Sequence, residues 1–128
     1  VRITQIHTLP DGRSEFGEVA LAMSEAAFAP PAAPFRVGER QPADRYLFFE
    51  MPAGWVGEWH PAPARQLAVV LAGELEVEVG TGERRRFAPG GVVLLGDLTG
   101  EGHRTRVVGD HDVRGLFVQL PTDAAAPY

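Results

Sequence analysis

The cleanest periodicity in the chain is Leu75-Glu76-Val77-Glu78-Val79, where aliphatic and acidic residues alternate without interruption. Successive side chains of an extended backbone leave opposite faces, so a period of two marks a strand with one buried face. Leu75, Val77 and Val79 are expected in a core. The glutamates between them are expected in water, as a solvated face and not a carboxylate site. The preceding strand places Gln66, Ala68 and Val70 on one face and Arg65, Leu67, Val69 and Leu71 on the other, with Ala72-Gly73-Glu74 as the turn. Before it, Val56, Glu58 and His60 share one face of an extended piece and Trp55, Gly57 and Trp59 the other. Pro61 and Pro63 end regular pairing there.

The flanks carry weaker versions of the same pattern. Val1 to Leu9 alternates loosely and stops at Pro10-Asp11-Gly12, a strong turn signal. Val19, Leu21 and Met23 predict a second strand over Glu18 to Ser24. Ala26 to Pro34, rich in alanine and proline, suits neither a helix nor a central strand and reads as a surface connection. Arg45 to Met51 (RYLFFEM) is apolar on both faces, as in a strand covered on two sides. Gly80-Thr81-Gly82 predicts a hairpin turn, and Arg84–Phe87, Val92–Leu95, Thr105–Val108 and Val113–Leu120 supply further short strands. The tail Pro121 to Tyr128 is expected to fray. About nine short strands with regularly spaced turns predict an all-β sandwich or barrel. No repeat or composition break divides residues 1–128, which are read as one domain.

Composition narrows the chemistry. The 128 residues suffice for one core, and the 15 glycines and 11 prolines leave no room for long helices. A net charge of −5 argues against a nucleic acid or an anionic membrane as partner. Arg84-Arg85-Arg86 has no aromatic platform beside it and reads as a solvated strand edge. The absence of cysteine removes disulfides, thiolate metal sites and a thiol nucleophile, and the absence of lysine removes Schiff-base chemistry. Ser14 and Ser24 are the only serines, and neither has a nucleophile-elbow context. No apolar run approaches the length of a membrane span and no charged-then-apolar leader is present, so a soluble cytoplasmic protein is expected.

The stretch Gly54 to His103 resembles the cupin superfamily of small β-barrels, built as a jelly roll or double-stranded β-helix. The first motif of that family runs from a glycine through His-x-His and a glutamate to a closing glycine. Gly54, His60 and Gly73 match it, while Ala62 replaces the second histidine and Gln66 the glutamate. The second motif runs from a glycine through Pro-x-Gly to a histidine and an asparagine. Gly90 opens it here, Gly96 replaces the proline, a longer loop leads to His103, and Val107 replaces the asparagine. The motif core covers 54–107, with the strands of 1–51 extending the sheet.

The resemblance implies that His60, Gln66 and His103 face one cavity inside the barrel. Metal-binding members hold iron, manganese, nickel or zinc at the matching positions. Two imidazoles and a neutral amide are a poorer set, so the implied cofactor is at most a weakly bound divalent metal. Glu58 either restores a carboxylate to the cavity or is an exposed acid at the barrel mouth. Without a metal, His60 and His103 are candidate proton-transfer groups, and Gln66 a hydrogen-bonding partner that orients a ligand. Trp55 and Trp59 are candidates for the rim, and Phe48 or Phe49, Val70, Leu75, Val77 and Phe117 for apolar walls.

Asp97 and Glu101 precede His103 on the glycine-rich loop and read as solvated acids; orientation of His103 is the other reading. Arg65 and Arg104 turn outward by alternation, and His7 and His111 sit beside turns with no partner in register. The expectation is a homodimeric cupin that binds a small, partly apolar organic ligand and performs acid–base chemistry such as isomerisation, cyclisation or elimination. A non-catalytic ligand-binding or regulatory cupin and a metal-dependent dioxygenase are the alternatives.

Overall fold

A computed structural model describes residues 1–121; the fraying expected of the tail beyond them lies outside the described residues. Eleven strands follow in order: β1 (Arg2–Thr8), β2 (Ser14–Ala20), β3 (Ser24–Ala26), β4 (Phe35–Val37), β5 (Arg45–Met51), β6 (Gln66–Ala72), β7 (Glu74–Val79), β8 (Arg84–Phe87), β9 (Val92–Leu95), β10 (His103–Val108) and β11 (Val113–Gln119). No helix among the described residues is long and apolar enough to cross a membrane.

Two sheets carry the architecture. The larger runs β2-β1-β9-β6-β11-β5 and the smaller β10-β7-β8, while β3 and β4 form a separate two-stranded hairpin. The β1–β9 pairing is parallel, so strands far apart in sequence lie side by side. Neighbours in the rest of both sheets are antiparallel. The segment after Gly54 adds to the smaller sheet through two isolated bridges, Val56 to Arg106 and His60 to His103.

The period-two pattern decides which side chains meet. Val93 and Leu95 of β9 and Leu75, Val77 and Val79 of β7 face one another across the sheets and join Ile6, Phe16 and Phe87 in the main core. Leu94, one residue out of phase, packs instead with Ile3, Val19 and Leu120 on the other face of the larger sheet.

Several strands depart from their sequence-derived placement. β2 lies at Ser14–Ala20 and not Glu18 to Ser24, because hairpin register with β1 sets Ile6 opposite Phe16 and Ile3 opposite Val19. The same register sets His7 opposite Glu15, and its Nε2 lies 2.9 Å from Glu15 Oε1, so His7 does have a partner. The connection 26–34 is largely exposed as expected, but it links β3 and β4, which were not anticipated. β5 was expected to be covered on two sides. It is an edge strand whose outer face is bare, with Tyr46 71% and Phe48 69% exposed.

The glutamates of β7 are not simply solvated either. The Glu76 side chain is only 12% exposed, roofed by Arg106 Nε at 2.9 Å and Arg86 Nε at 3.3 Å. Arg104 Nε donates in the same way to Glu78 at 2.8 Å. The Arg106 hydrogen bond, with help from Arg86, holds the Glu76 carboxyl below its ordinary value of 4.5, against the opposing effect of burial. A depressed carboxylate stabilises the fold fully above its unfolded value, and that contribution fades as pH falls through the lower folded value. Glu76→Gln is therefore expected to lower the urea midpoint at pH 7, with the gap to wild type closing as pH falls below the ordinary carboxylate range.

Candidate functional site

Between the two sheets lies a cavity of about 240 Å³. The larger sheet contributes Phe49, Gln66, Ala68, Val70 and Phe117, and the smaller sheet Leu75, Val77, His103 and Thr105. Phe49 and Phe117 stack on one another with centroids 4.3 Å apart and planes 22° apart, making a flat aromatic wall. Their pairing depends on Gly115, directly opposite Phe49 in the β5–β11 register, where any Cβ would strike the Phe49 ring.

Two imidazoles meet at one end. The His60 and His103 rings have centroids 4.9 Å apart and a tilt of 54°. Their backbones form a reciprocal bridge, each N–H donating to the other carbonyl at 3.0 Å. The bridge requires Gly102, whose φ is +79° and whose Cβ position is already filled by the backbone of His60 and Pro61. The loop is held from below by Ser14, which donates through Oγ to the Gly102 carbonyl at 2.7 Å and accepts from the Gly80 N–H at 2.8 Å.

Each ring has one nitrogen committed. His60 Nδ1 lies 2.8 Å from the Glu58 carbonyl, which can only accept, so this nitrogen carries the proton. His103 Nδ1 lies 2.6 Å from Asp97 Oδ2. An ionised carboxylate likewise only accepts, which fixes the same tautomer and leaves Nε2 as the lone-pair nitrogen of each neutral ring. Asp97 is 0% exposed, and among the described residues its side chain has one hydrogen-bond partner, His103, which it holds. Its solvated reading was wrong: Asp97 lies just past the buried strand β9, after Gly96, and the Ala62 N–H donates to its carbonyl at 2.9 Å, pinning the loop inward. Glu101 is exposed, as expected.

The other anticipated residues separate into two groups. Trp55, Gln66, Val70, Leu75, Val77 and Phe117 all line the cavity with the two histidines, and of the two phenylalanines it is Phe49. Gln66 is buried and its Oε1 accepts from Gln119 Nε2 at 3.3 Å, which commits the amide oxygen and leaves the NH₂ as the donor end. Glu58 is not among the lining residues. Its side chain is exposed and only its carbonyl serves the site, so it restores no carboxylate to the cavity. Exposure alternates from Trp55 to His60 as the sequence implied, with Val56, Glu58 and His60 on the exposed side, although this piece pairs only through isolated bridges; His60 still reaches the cavity lining together with Trp55. Trp59 lies under the Arg104 guanidinium at 5.1 Å, away from the cavity lining. Arg104 is exposed.

Comparison with known proteins bears on the fold. Neither a protein-family model nor a curated protein matches the chain significantly. Among solved structures, the cupin domain of Schizosaccharomyces pombe Cnp3 superposes with a TM-score of 0.50 at 19% identity, covering 85% of this chain and 74% of that one. The chain has the cupin fold. A conserved protein of unknown function from Streptococcus pyogenes, SPY1581, matches with a TM-score of 0.46 at 19% identity, covering 69% of this chain and 72% of that one.

The cupin fold raises the question of a metal, and the donor set does not fit one. Among the described residues no group of three or more histidine, cysteine, aspartate or glutamate side chains is placed to hold a metal ion. The carboxylate nearest the imidazoles, Asp97, is spent on His103 Nδ1, and Gln66 offers an amide whose oxygen is already engaged. A divalent ion at two imidazoles with no charge compensation is weakly held. Protein purified without chelator should therefore carry less than about a tenth of an equivalent of transition metal by elemental analysis.

Proposed function

We propose that this cupin binds a small organic molecule in the inter-sheet cavity and moves a proton on it, in an isomerisation, cyclisation or elimination. The observation that carries the reading is the Asp97–His103 pair beside His60. A buried carboxylate fixes one imidazole at 2.6 Å, and a second imidazole stands 4.9 Å away at the same apolar cavity. A base held in one tautomer, with its lone pair on the reacting side, is what general acid–base catalysis requires. The ring that takes a proton from one carbon becomes an imidazolium and can hand that proton, directly or by way of the neighbouring ring's Nε2, to another carbon of the same molecule.

The test is proton exchange at C2 of 1-indanone in D₂O, followed by NMR. Wild-type protein is expected to accelerate exchange over buffer, and His60→Ala and His103→Ala to lose the acceleration. Thermal stabilisation by the ketone with no exchange would instead identify a non-catalytic binder.

A homodimer built on β5 belongs to the same proposal. β5 ends the larger sheet with no strand beyond it among the described residues, and it presents Tyr46 and Phe48 on a bare outer face. Such an edge invites pairing with another strand. Antiparallel pairing of two copies about Phe48 is self-complementary and closes at two, bringing the exposed aromatics of both together. Phe48→Glu is expected to convert the dimer to a monomer by light scattering after size exclusion; an unchanged mass would remove this interface.

A further inference from the structure

The chemistry of the cavity wall specifies the charge of what it holds, which deepens the proposed reading and rests on it. The polar residues lining the cavity are His60 and His103, whose Nδ1 atoms are committed elsewhere, Gln66, whose amide oxygen accepts from Gln119, and Thr105. None of the cavity-lining residues is an arginine, and residues 122–128 contain no basic side chain. Arg84 and Arg86 of β8 and Arg104 and Arg106 of β10 are turned to the outer face of the smaller sheet, where Glu76 and Glu78 hold them, while Arg85, on the Val77 side of β8, pairs with Glu83 and lies over the Phe16 ring outside the cavity lining. A carboxylate or phosphate in the cavity would meet no arginine to balance its charge while the rest of the molecule lies against apolar walls, which is unfavourable.

We infer that the ligand is an uncharged, flat, mostly hydrocarbon carbonyl compound, and that the cavity rejects anions of the same size. The carbonyl oxygen accepts from the Gln66 amide, the acidic C–H beside it faces the imidazoles, and the ring lies along Phe49 and Phe117. Size follows from volume. A cavity of about 150 Å³ takes benzene, so 240 Å³ accommodates roughly ten non-hydrogen atoms by proportion. 1-Indanone has that size, and phenylacetate matches it in atom count while carrying a full negative charge.

Calorimetric titration of the full chain at pH 8, where phenylacetate is an anion, compares the two. 1-Indanone is expected to bind at least tenfold more tightly, and Gln66→Leu to weaken it severalfold. Equal or tighter binding of phenylacetate overturns the inference, as does failure of both to bind at millimolar concentration. The two levels separate cleanly. Tight, selective binding of the ketone without C2 exchange upholds the ligand class and sinks the acid–base reading. Exchange with equally tight phenylacetate binding does the reverse.

Discussion

Replacing His103 with alanine is expected to slow C2 exchange of 1-indanone by about 10²–10⁴-fold, the range a positioned general acid or base contributes. The substitution also strands Asp97. That carboxyl is 0% exposed and, among the described residues, its side chain hydrogen-bonds to His103 alone, so alanine leaves a buried acid without that partner. The variant should lose a few kcal/mol of stability as well as activity. His103→Gln separates the effects: its amide can still donate toward Asp97, so the fold is largely kept while the base is gone. Full activity in a folded His103→Gln variant would remove His103 from the chemistry.

Asp97→Asn tests the positioning role with a readout that packing alone would not move. Ring ¹⁵N shifts of His103 should report a single Nδ1–H tautomer in the wild type and a mixture in the variant, with a smaller loss of exchange than in His103→Ala.

Gly102→Ala is expected to be the most destabilising conservative change near the site, on the order of 3–5 kcal/mol. Two costs combine. The residue sits at φ +79°, where a side chain is strained, and the new Cβ would overlap the backbone of His60 and Pro61. Nothing flexible is available to yield, so the bridge between His60 and His103 must open and the two rings must part. Gly90→Ala is the control. It shares a positive φ, +94°, but its Cβ would enter open space. Its cost is the backbone strain alone, roughly 1–2 kcal/mol. Equal urea midpoints for the two variants would contradict the close approach at Gly102.

Much of the fold was legible because alternation is a direct record of which face is buried. Leu75, Val77 and Val79 point into the core, and Gln66, Ala68 and Val70 line the cavity, as their spacing implied. The pattern fails where pairing and not burial sets the geometry. β2 is placed by its register with β1, which moves it to Ser14–Ala20. Alternation also cannot tell an edge strand from a central one, which is why the bare outer face of β5 was missed.

The role of Asp97 was hidden for a different reason. On a glycine-rich loop an acid normally faces water, and only the fold reveals that this loop passes under His103. A signal was present in hindsight: Asp97 closes the apolar run Val92-Val93-Leu94-Leu95-Gly96. Ser14 was considered only as a nucleophile, whereas its hydroxyl fastens the loop that carries Gly102.

The account stands on two imidazoles, remote in sequence, sharing one hollow. An NOE experiment on protein with ¹³C,¹⁵N-labelled histidine tests this directly, since rings with centroids 4.9 Å apart have protons within NOE range. Cross-peaks between the ring protons of His60 and His103 are the predicted result; well-resolved signals from both rings with no cross-peak between them would contradict it.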